Sequence, residues 1–160
     1  MKVLIIRTLK SELIPHVIKK IKMKFSNCSL YLLTHNNQDS LSFFSSKFHK
    51  VFNYNSHNDF NLNYINKNLL NELKIEKFDL IILPKLFNSK HGFLEVIRLG
   101  IAINPKKIAI LPIRNKLIFL NKNFLRKYFI IKIFSHIVNL ILQIIFWPIF
   151  LLNLIFAKIF

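Results

Sequence analysis

Residues 79–84, with the sequence DLIILP, form the clearest strand pattern in the chain, an apolar run closed by a proline. A short run of this kind is typical of a strand that is buried on both faces of a sheet. A second run, residues 107–112 (KIAILP), follows after a segment whose apolar residues have helical spacing. Strand, helix and strand in that order indicate parallel strands joined by a crossover helix.

The same alternation extends back to the N-terminus. Strands are predicted at 2–7, 28–34 and 49–54, helices at 11–25, 39–47, 64–76 and 89–100, and a loop at 53–63. Ser11 is the expected N-cap of the first helix, and Gly100 is expected to end the last one. Residues 1–113 are therefore predicted to form an α/β domain, a Rossmann-like parallel sheet of about five strands with helices on both faces.

The charge balance is strongly basic and uneven. The chain has 24 Lys and Arg against 7 Asp and Glu, a net charge of +17, and no acidic residue follows Glu95. Such a balance fits nucleic acid, an anionic membrane surface or an acidic ligand. A coding sequence rich in A and T would also explain much of it. No nucleic-acid-binding motif is present, so nucleic acid is not an expected partner.

The C-terminal part changes character after residue 113. Residues 114–132 are predicted to form a basic amphipathic segment beside the membrane, and residues 133–160 a membrane-associated helix, or a helix pair kinked at Pro148. Residues 133–157 contain no charge and exceed the roughly 20 residues that a spanning helix needs. A buried helix of a soluble core and a monotopic or re-entrant helix are the alternatives.

Cations before the apolar segment predict which side of the membrane holds the domain. The expected membrane-surface residues are Lys122, Arg126, Lys127 and Lys132. By the positive-inside rule the α/β domain should lie at the cytoplasmic face, held by a C-terminal anchor, with membrane lipid as its partner.

Several kinds of chemistry are not expected. With glycine only at positions 92 and 100, no glycine-rich phosphate loop follows the first strand, so neither NAD nor ATP is expected as a cofactor. The histidines and the single cysteine, Cys28, show no metal-ligand spacing, and no metal site is predicted.

Ligands of open parallel sheets bind outside the C-terminal ends of the strands. The residues predicted to bind a ligand or acceptor there are Arg7, Thr8, His35, Lys85 and Arg114. The cations among them would form a rim suited to phosphate or a lipid headgroup. The alternative is that they are ordinary basic loop residues in a basic protein.

The pattern of residues 1–112 resembles the N-terminal domain of family 9 glycosyltransferases, the heptosyltransferase-like enzymes of lipopolysaccharide assembly. The matching segments are VLIIR at 3–7, Pro15, IKMKF at 21–25, SLYLL at 29–33, FDLII at 78–82 and KKIAI at 106–110. The resemblance implies half of a GT-B fold. The family's Gly-Asp after the first strand is replaced here by Lys10-Ser11-Glu12, which makes Glu12 the candidate catalytic acid, and the donor-binding second domain has no counterpart.

The resemblance therefore implies a membrane-associated, glycosyltransferase-like protein of cell-envelope glycan or lipopolysaccharide metabolism that is not catalytic alone. An active form would need a partner glycosyltransferase subunit to bind the donor, and a glycolipid as acceptor. The alternative is a membrane-anchored scaffold or anionic-headgroup-binding protein without enzymatic activity. A degenerate gene product without function is the third possibility.

Overall fold

The computed structural model describes residues 1–35, 44, 46–54, 60–85, 93–113, 115–121, 134, 137–144 and 146–147. The chain divides into two compact units, Met1–Leu120 and Asn121–Phe160. The predicted helix at 39–47 falls mostly outside the described residues, as does Pro148. Within the described part of the chain, no helix combines the length and the apolar character needed to cross a membrane.

The first unit alternates strands and helices as predicted. Its strands are β1 (Lys2–Ile6), β2 (Ser29–His35), β3 (Lys50–Tyr54), β4 (Leu80–Lys85), β5 (Lys107–Pro112) and β6 (Ile118–Phe119). Its helices are a 3₁₀ turn (Ser11–Leu13), α1 (Ile14–Lys24), α2 (Lys67–Ile75) and α3 (Phe93–Ala102).

The six strands form one sheet in the order β3-β2-β1-β4-β5-β6. The first five run parallel, which confirms the predicted Rossmann-like sheet. Strand β6 was not predicted: it lies within the basic segment 114–132 and pairs antiparallel with β5, with Ala109 opposite Phe119. Two residues are too few to show the alternation by which a strand is recognised in a sequence.

Strand β1 lies at the centre of the sheet. It pairs with β2, where Ile6 is opposite Leu33, and with β4, where Ile5 is opposite Ile82. Its residues 3–6 are completely buried. Burial on both faces explains why this run is apolar throughout instead of alternating with polar residues.

Helices cover both faces of the sheet. Buried residues of α1 pack in one cluster with Ile5, Leu32 and Ile82. A Cβ atom added at Gly100 of α3 would instead meet the side chain of Ile81 at 3.8 Å. Successive side chains of a strand point to opposite faces, so α1 and α3 lie on opposite sides of the sheet.

Two predicted helix boundaries were wrong. Ser11 does not cap α1: the N-cap position is Leu13, and no side chain caps it. Gly100 lies inside α3, which continues to Ala102. The chain turns after that helix at Asn104, whose φ of 60° is in the left-handed region that asparagine tolerates better than most residues.

In the second unit, residues 137–144 are helical. Large apolar side chains are exposed all along the described part of this segment: Phe134, Ile137, Val138, Leu140, Ile141, Leu142, Ile144, Phe146 and Trp147. Exposed apolar side chains in this number are typical of a surface that contacts a membrane or a protein partner.

The N-terminal edge of the sheet carries paired charges. The Lys2 ammonium lies 2.8 Å from a Glu76 carboxylate oxygen, and Lys50 lies 3.4 Å from the other oxygen. Asp79 accepts a hydrogen bond from the Lys2 backbone N–H at 2.8 Å and pairs with Lys106 at 2.6 Å. These contacts connect strands β1, β3 and β5 to the residues at the end of α2 and the start of β4.

The Glu76 pairs predict a loss of stability in acid. Hydrogen bonding from Lys2 holds the pKa of Glu76 below its ordinary value of 4.5. A carboxylate with a lowered folded-state pKa stabilises the fold above its unfolded pKa, and this contribution disappears as the pH falls through the folded value. We expect Glu76→Gln to lower the free energy of unfolding at pH 7 by about 0.5–1 kcal/mol, and the difference from wild type to shrink below pH 4.5.

The measurement is urea unfolding of the full chain in a non-ionic detergent at pH 7 and pH 3.5. Glu12→Gln is the matched control, because the exposed Glu12 makes no ion pair with a described residue. An equal loss of stability in both variants at pH 7 would contradict the role given to Glu76.

Candidate functional site

The strand order reverses direction between β1 and β4, which makes their C-terminal ends the switch point of the sheet. Ligands of open α/β sheets bind in the crevice at such a point. Arg7 and Thr8 follow β1 directly, and Lys85 ends β4. The structure therefore places three of the predicted binding residues around this crevice.

At the C-terminal edge of the sheet, a row of polar side chains lies on the face that α1 covers. The Arg7 backbone N–H donates to the Leu33 carbonyl at 2.9 Å, which places Arg7 beside Thr34. Thr34 in turn pairs with Asn53 of β3. Because side chains alternate along a strand, the three lie on the face of Ile5 and Leu32. We call Arg7, Thr34 and Asn53 the polar row.

Arg7 is the charged member of the polar row, and it is half-buried. Its guanidinium donates to the Ser11 hydroxyl at 2.8 Å and lies 5.9 Å from the centre of the Phe44 ring. Burial lowers the pKa of Arg7. No carboxylate among the residues that the structure describes is within ion-pair distance of it. Among the residues that the structure describes, this partly desolvated cation therefore has no counter-ion.

The other two members supply hydroxyl and amide groups. Thr34 is completely buried, and its hydroxyl donates to the His35 carbonyl at 3.3 Å. The Oδ1 atom of Asn53 is buried and has no hydrogen-bond partner among the described residues. A buried acceptor without a donor is costly, so its presence calls for an explanation. A hydroxyl or amine group of a bound ligand would supply the missing donor.

Thr8 connects the two strands that meet at the switch point. Its hydroxyl donates to the Pro84 carbonyl, so the chain leaving β1 is bonded to the end of β4. The predicted binding role of Thr8 is thus accompanied by a structural one, because its single hydroxyl hydrogen is already used.

His35 and Lys85 lie on the opposite face from Arg7. The His35 ring is 5.2 Å from that of Tyr54 and 4.2 Å from that of Phe60, within an aromatic cluster. The Lys85 ammonium lies 4.8 Å from the centre of the Phe93 ring of α3. The predicted cationic rim consisted of Arg7, Lys85 and Arg114. The structure places Arg7 and Lys85 on opposite faces at the C-terminal edge of the sheet, and Arg114 is outside the described residues.

The remaining predicted site residues divide into two groups. Glu12 lies in the 3₁₀ turn after β1, exposed to solvent. Arg114, Lys122, Arg126, Lys127 and Lys132 are outside the described residues, so their predicted roles stay predictions.

The described acidic residues lie mostly away from this edge. Glu72, Glu76 and Asp79 pair with lysines at the N-terminal edge of the sheet, and Glu95 pairs with Arg98 on α3 at 2.9 Å. None of the described carboxylates forms an ion pair with Arg7. An anion is therefore the ligand that the crevice is best suited to bind.

Metal and thiol chemistry find no support in the described part of the chain. It contains no group of three His, Cys, Asp or Glu side chains placed to hold a metal ion. Cys28 is half-buried against the core, and burial raises the pKa of its thiol, which disfavours the reactive thiolate.

Sequence reasoning missed one residue of the site, Ser11, which was predicted to cap a helix and instead accepts the Arg7 hydrogen bond. Thr34 and Asn53 were expected at the C-terminal ends of the strands but were not among the predicted binding residues. The register distinguishes them, because it places Thr34 beside Arg7 and Asn53 one strand further along.

The first unit is a Rossmann-like α/β domain with a half-buried arginine at the switch point of its sheet, and this arginine has no ion-pair partner among the described residues. Comparisons with protein-family models, with curated proteins and with solved structures find no significant match. The resemblance to family 9 glycosyltransferases therefore stays a prediction that rests on the residues quoted for it.

Proposed function

We propose that this chain is a membrane-associated binding module that holds a phosphate-bearing ligand at the C-terminal edge of its sheet. The observation that carries the proposal is the half-buried Arg7 guanidinium, which lies at the switch point without a counter-ion among the described residues. Leaving a cation partly desolvated and unpaired costs stability, and an anionic ligand would offset that cost.

The chemistry of the polar row narrows the ligand class. A guanidinium binds phosphate through parallel hydrogen bonds, whereas the free Asn53 Oδ1 accepts a hydrogen bond from a hydroxyl. These residues lie two strands apart, so about 10 Å separates their backbones. A ligand with a phosphate at one end and hydroxyl groups at the other would reach both, as a phosphorylated sugar does.

Two features support the membrane association. The uncharged residues 133–157 follow a basic segment, and the described apolar side chains of 134–147 are exposed, with Trp147 and Phe134 each at 67%. A basic segment beside an apolar one is attracted to an anionic leaflet, which supports a position of the α/β domain at the cytoplasmic face.

A glycosyltransferase-like role is a second candidate, favoured by the position of Glu12. This carboxylate follows Ser11 directly, and Ser11 bonds the Arg7 guanidinium, so an acid and a phosphate-binding cation share one turn. In this role the edge would hold the glycolipid acceptor, and a partner subunit would bind the sugar donor.

Removal of the Arg7 charge should abolish phosphate binding without unfolding the protein. We expect glucose 1-phosphate, but not glucose, to raise the melting temperature of the full chain in a non-ionic detergent, because a ligand that binds only the folded state stabilises it. Arg7→Met should remove this shift, while its melting temperature without ligand stays at or above that of wild type.

The control is Arg98→Met, which removes the same charge from an arginine that is paired with Glu95 on α3. A second arm replaces glucose 1-phosphate with vesicles that contain phosphatidylglycerol and separates a soluble phosphate ligand from a lipid headgroup. An equal shift in wild type and Arg7→Met, in both arms, would contradict the proposal.

Charge reversal in the basic segment should release the chain from anionic membranes. We expect the triple change of Lys122, Arg126 and Lys127 to Glu to reduce binding to phosphatidylglycerol vesicles by at least tenfold, since each cation near the surface contributes about 1 kcal/mol. Co-sedimentation at low and high salt measures this effect. Binding that survives both the reversal and high salt would rule out electrostatic attachment.

The catalytic candidate is tested by Glu12→Gln. Membranes from cells that contain the full chain should transfer labelled sugar to a lipid-linked acceptor, and the substitution should reduce this transfer at least tenfold while glucose 1-phosphate binding is retained. Lys10→Gln, two residues earlier, is the control. Equal transfer by membranes that lack the chain would refute the enzymatic role and leave the binding role intact.

A further inference from the structure

A groove of about 640 Å³ lies on the α1 side of the sheet and shares no residue with the polar row. The C-terminal half of α1 forms one wall, and the chain between β5 and β6 forms the other. Its floor is apolar: Ile21 and Leu111 are almost completely buried, whereas Phe25 and Leu117 are partly exposed. Its volume is within the range of small-molecule sites.

Three lysines surround this apolar floor. The Lys20 ammonium donates to the Ile113 carbonyl, and the Lys24 ammonium lies 5.3 Å from the centre of the Phe119 ring. Lys116 lines the opposite wall. No carboxylate lines the groove among the residues described, so its charge is complementary to an anion. The groove thus offers an apolar surface for a chain and ammonium groups for an anionic head.

The dimensions favour a narrow occupant over a protein helix. Lys20, Ile21 and Lys24 of α1, with Phe25 directly after the helix, line the groove over about 8 Å, at a rise of 1.5 Å per residue. A helix with its side chains is about 10–12 Å across, so this wall would contact little more than one turn of it. An extended hydrocarbon chain is much thinner and would lie along the floor.

We propose that this groove binds a long-chain fatty acid, with the alkyl chain against Ile21, Phe25 and Leu117 and the carboxylate beside Lys24 and Lys116. This site goes beyond the proposed phosphate site and does not depend on Arg7. Each site would keep its ligand if the other were destroyed.

The test is photo-crosslinking with a fatty acid that carries a diazirine on its chain. The full chain is held in phosphatidylcholine vesicles, and the labelled peptides are mapped by mass spectrometry. We expect label within residues 20–25 and 111–117, displaced by excess oleate but not by oleyl alcohol, which has the same chain without the charge. Label confined to residues 133–160, or equal displacement by both competitors, would overturn the proposal.

Two variants and a matched control complete the design. Lys24→Glu with Lys116→Glu should reduce groove labelling at least tenfold. Lys19→Glu with Lys22→Glu makes the same charge change at exposed positions of α1 outside the groove and should leave it unchanged. Leu117→Trp, which fills the groove but keeps its lysines, should also reduce labelling. Labelling that is equal in all of these folded variants would refute the assignment.

Discussion

The burial of strand β1 on both faces is the constraint on which the first unit depends. Its residues 3–6 are completely excluded from water between two neighbouring strands and two helical layers. A strand in that position ends at the first polar residue, because burial of a polar side chain in the core is costly without a hydrogen-bond partner. Arg7 is that residue. Because the centre of the sheet excludes water, the Arg7 guanidinium lies at the switch point, where it is partly buried and partly exposed to solvent.

The two edges of the sheet use charge in opposite ways. At the N-terminal edge, Glu76 and Asp79 pair with lysines from other elements, and these pairs join strands to the segments that precede them. At the C-terminal edge, the described contacts of Arg7 are a neutral hydroxyl and an aromatic ring. Few acidic residues are available in a chain of charge +17, and those described are largely committed to stability. Among the described residues, Arg7 at the other edge consequently has no carboxylate partner.

The parallel strands were predictable from their apolar runs, because a run such as DLIILP is typical of a strand that is buried on both faces of a sheet. The fine placement was not predictable, because it depends on pairing between distant strands. His35 follows Thr34 in the chain, yet one lies on the aromatic face and the other beside Arg7. Strand ends can be found from sequence, but the face that each side chain occupies follows from register. Ser11 was missed for a different, local reason: its hydroxyl was equally suited to cap a helix or to accept from Arg7, four residues earlier.

The order of the strands also determines when this protein can fold. Strand β1 is synthesised first, but its partner β4 follows about 77 residues later, the separation of the Lys2–Asp79 hydrogen bond. Contacts of such long range slow folding, because the chain must lose loop entropy before they form. Until β4 is synthesised, the apolar β1 has only β2 as a neighbouring strand. The sheet is complete in sequence at β6, before the uncharged residues 133–157 are made. Every strand of the core is therefore synthesised before the most apolar part of the chain, and the first strands can begin to pair without it.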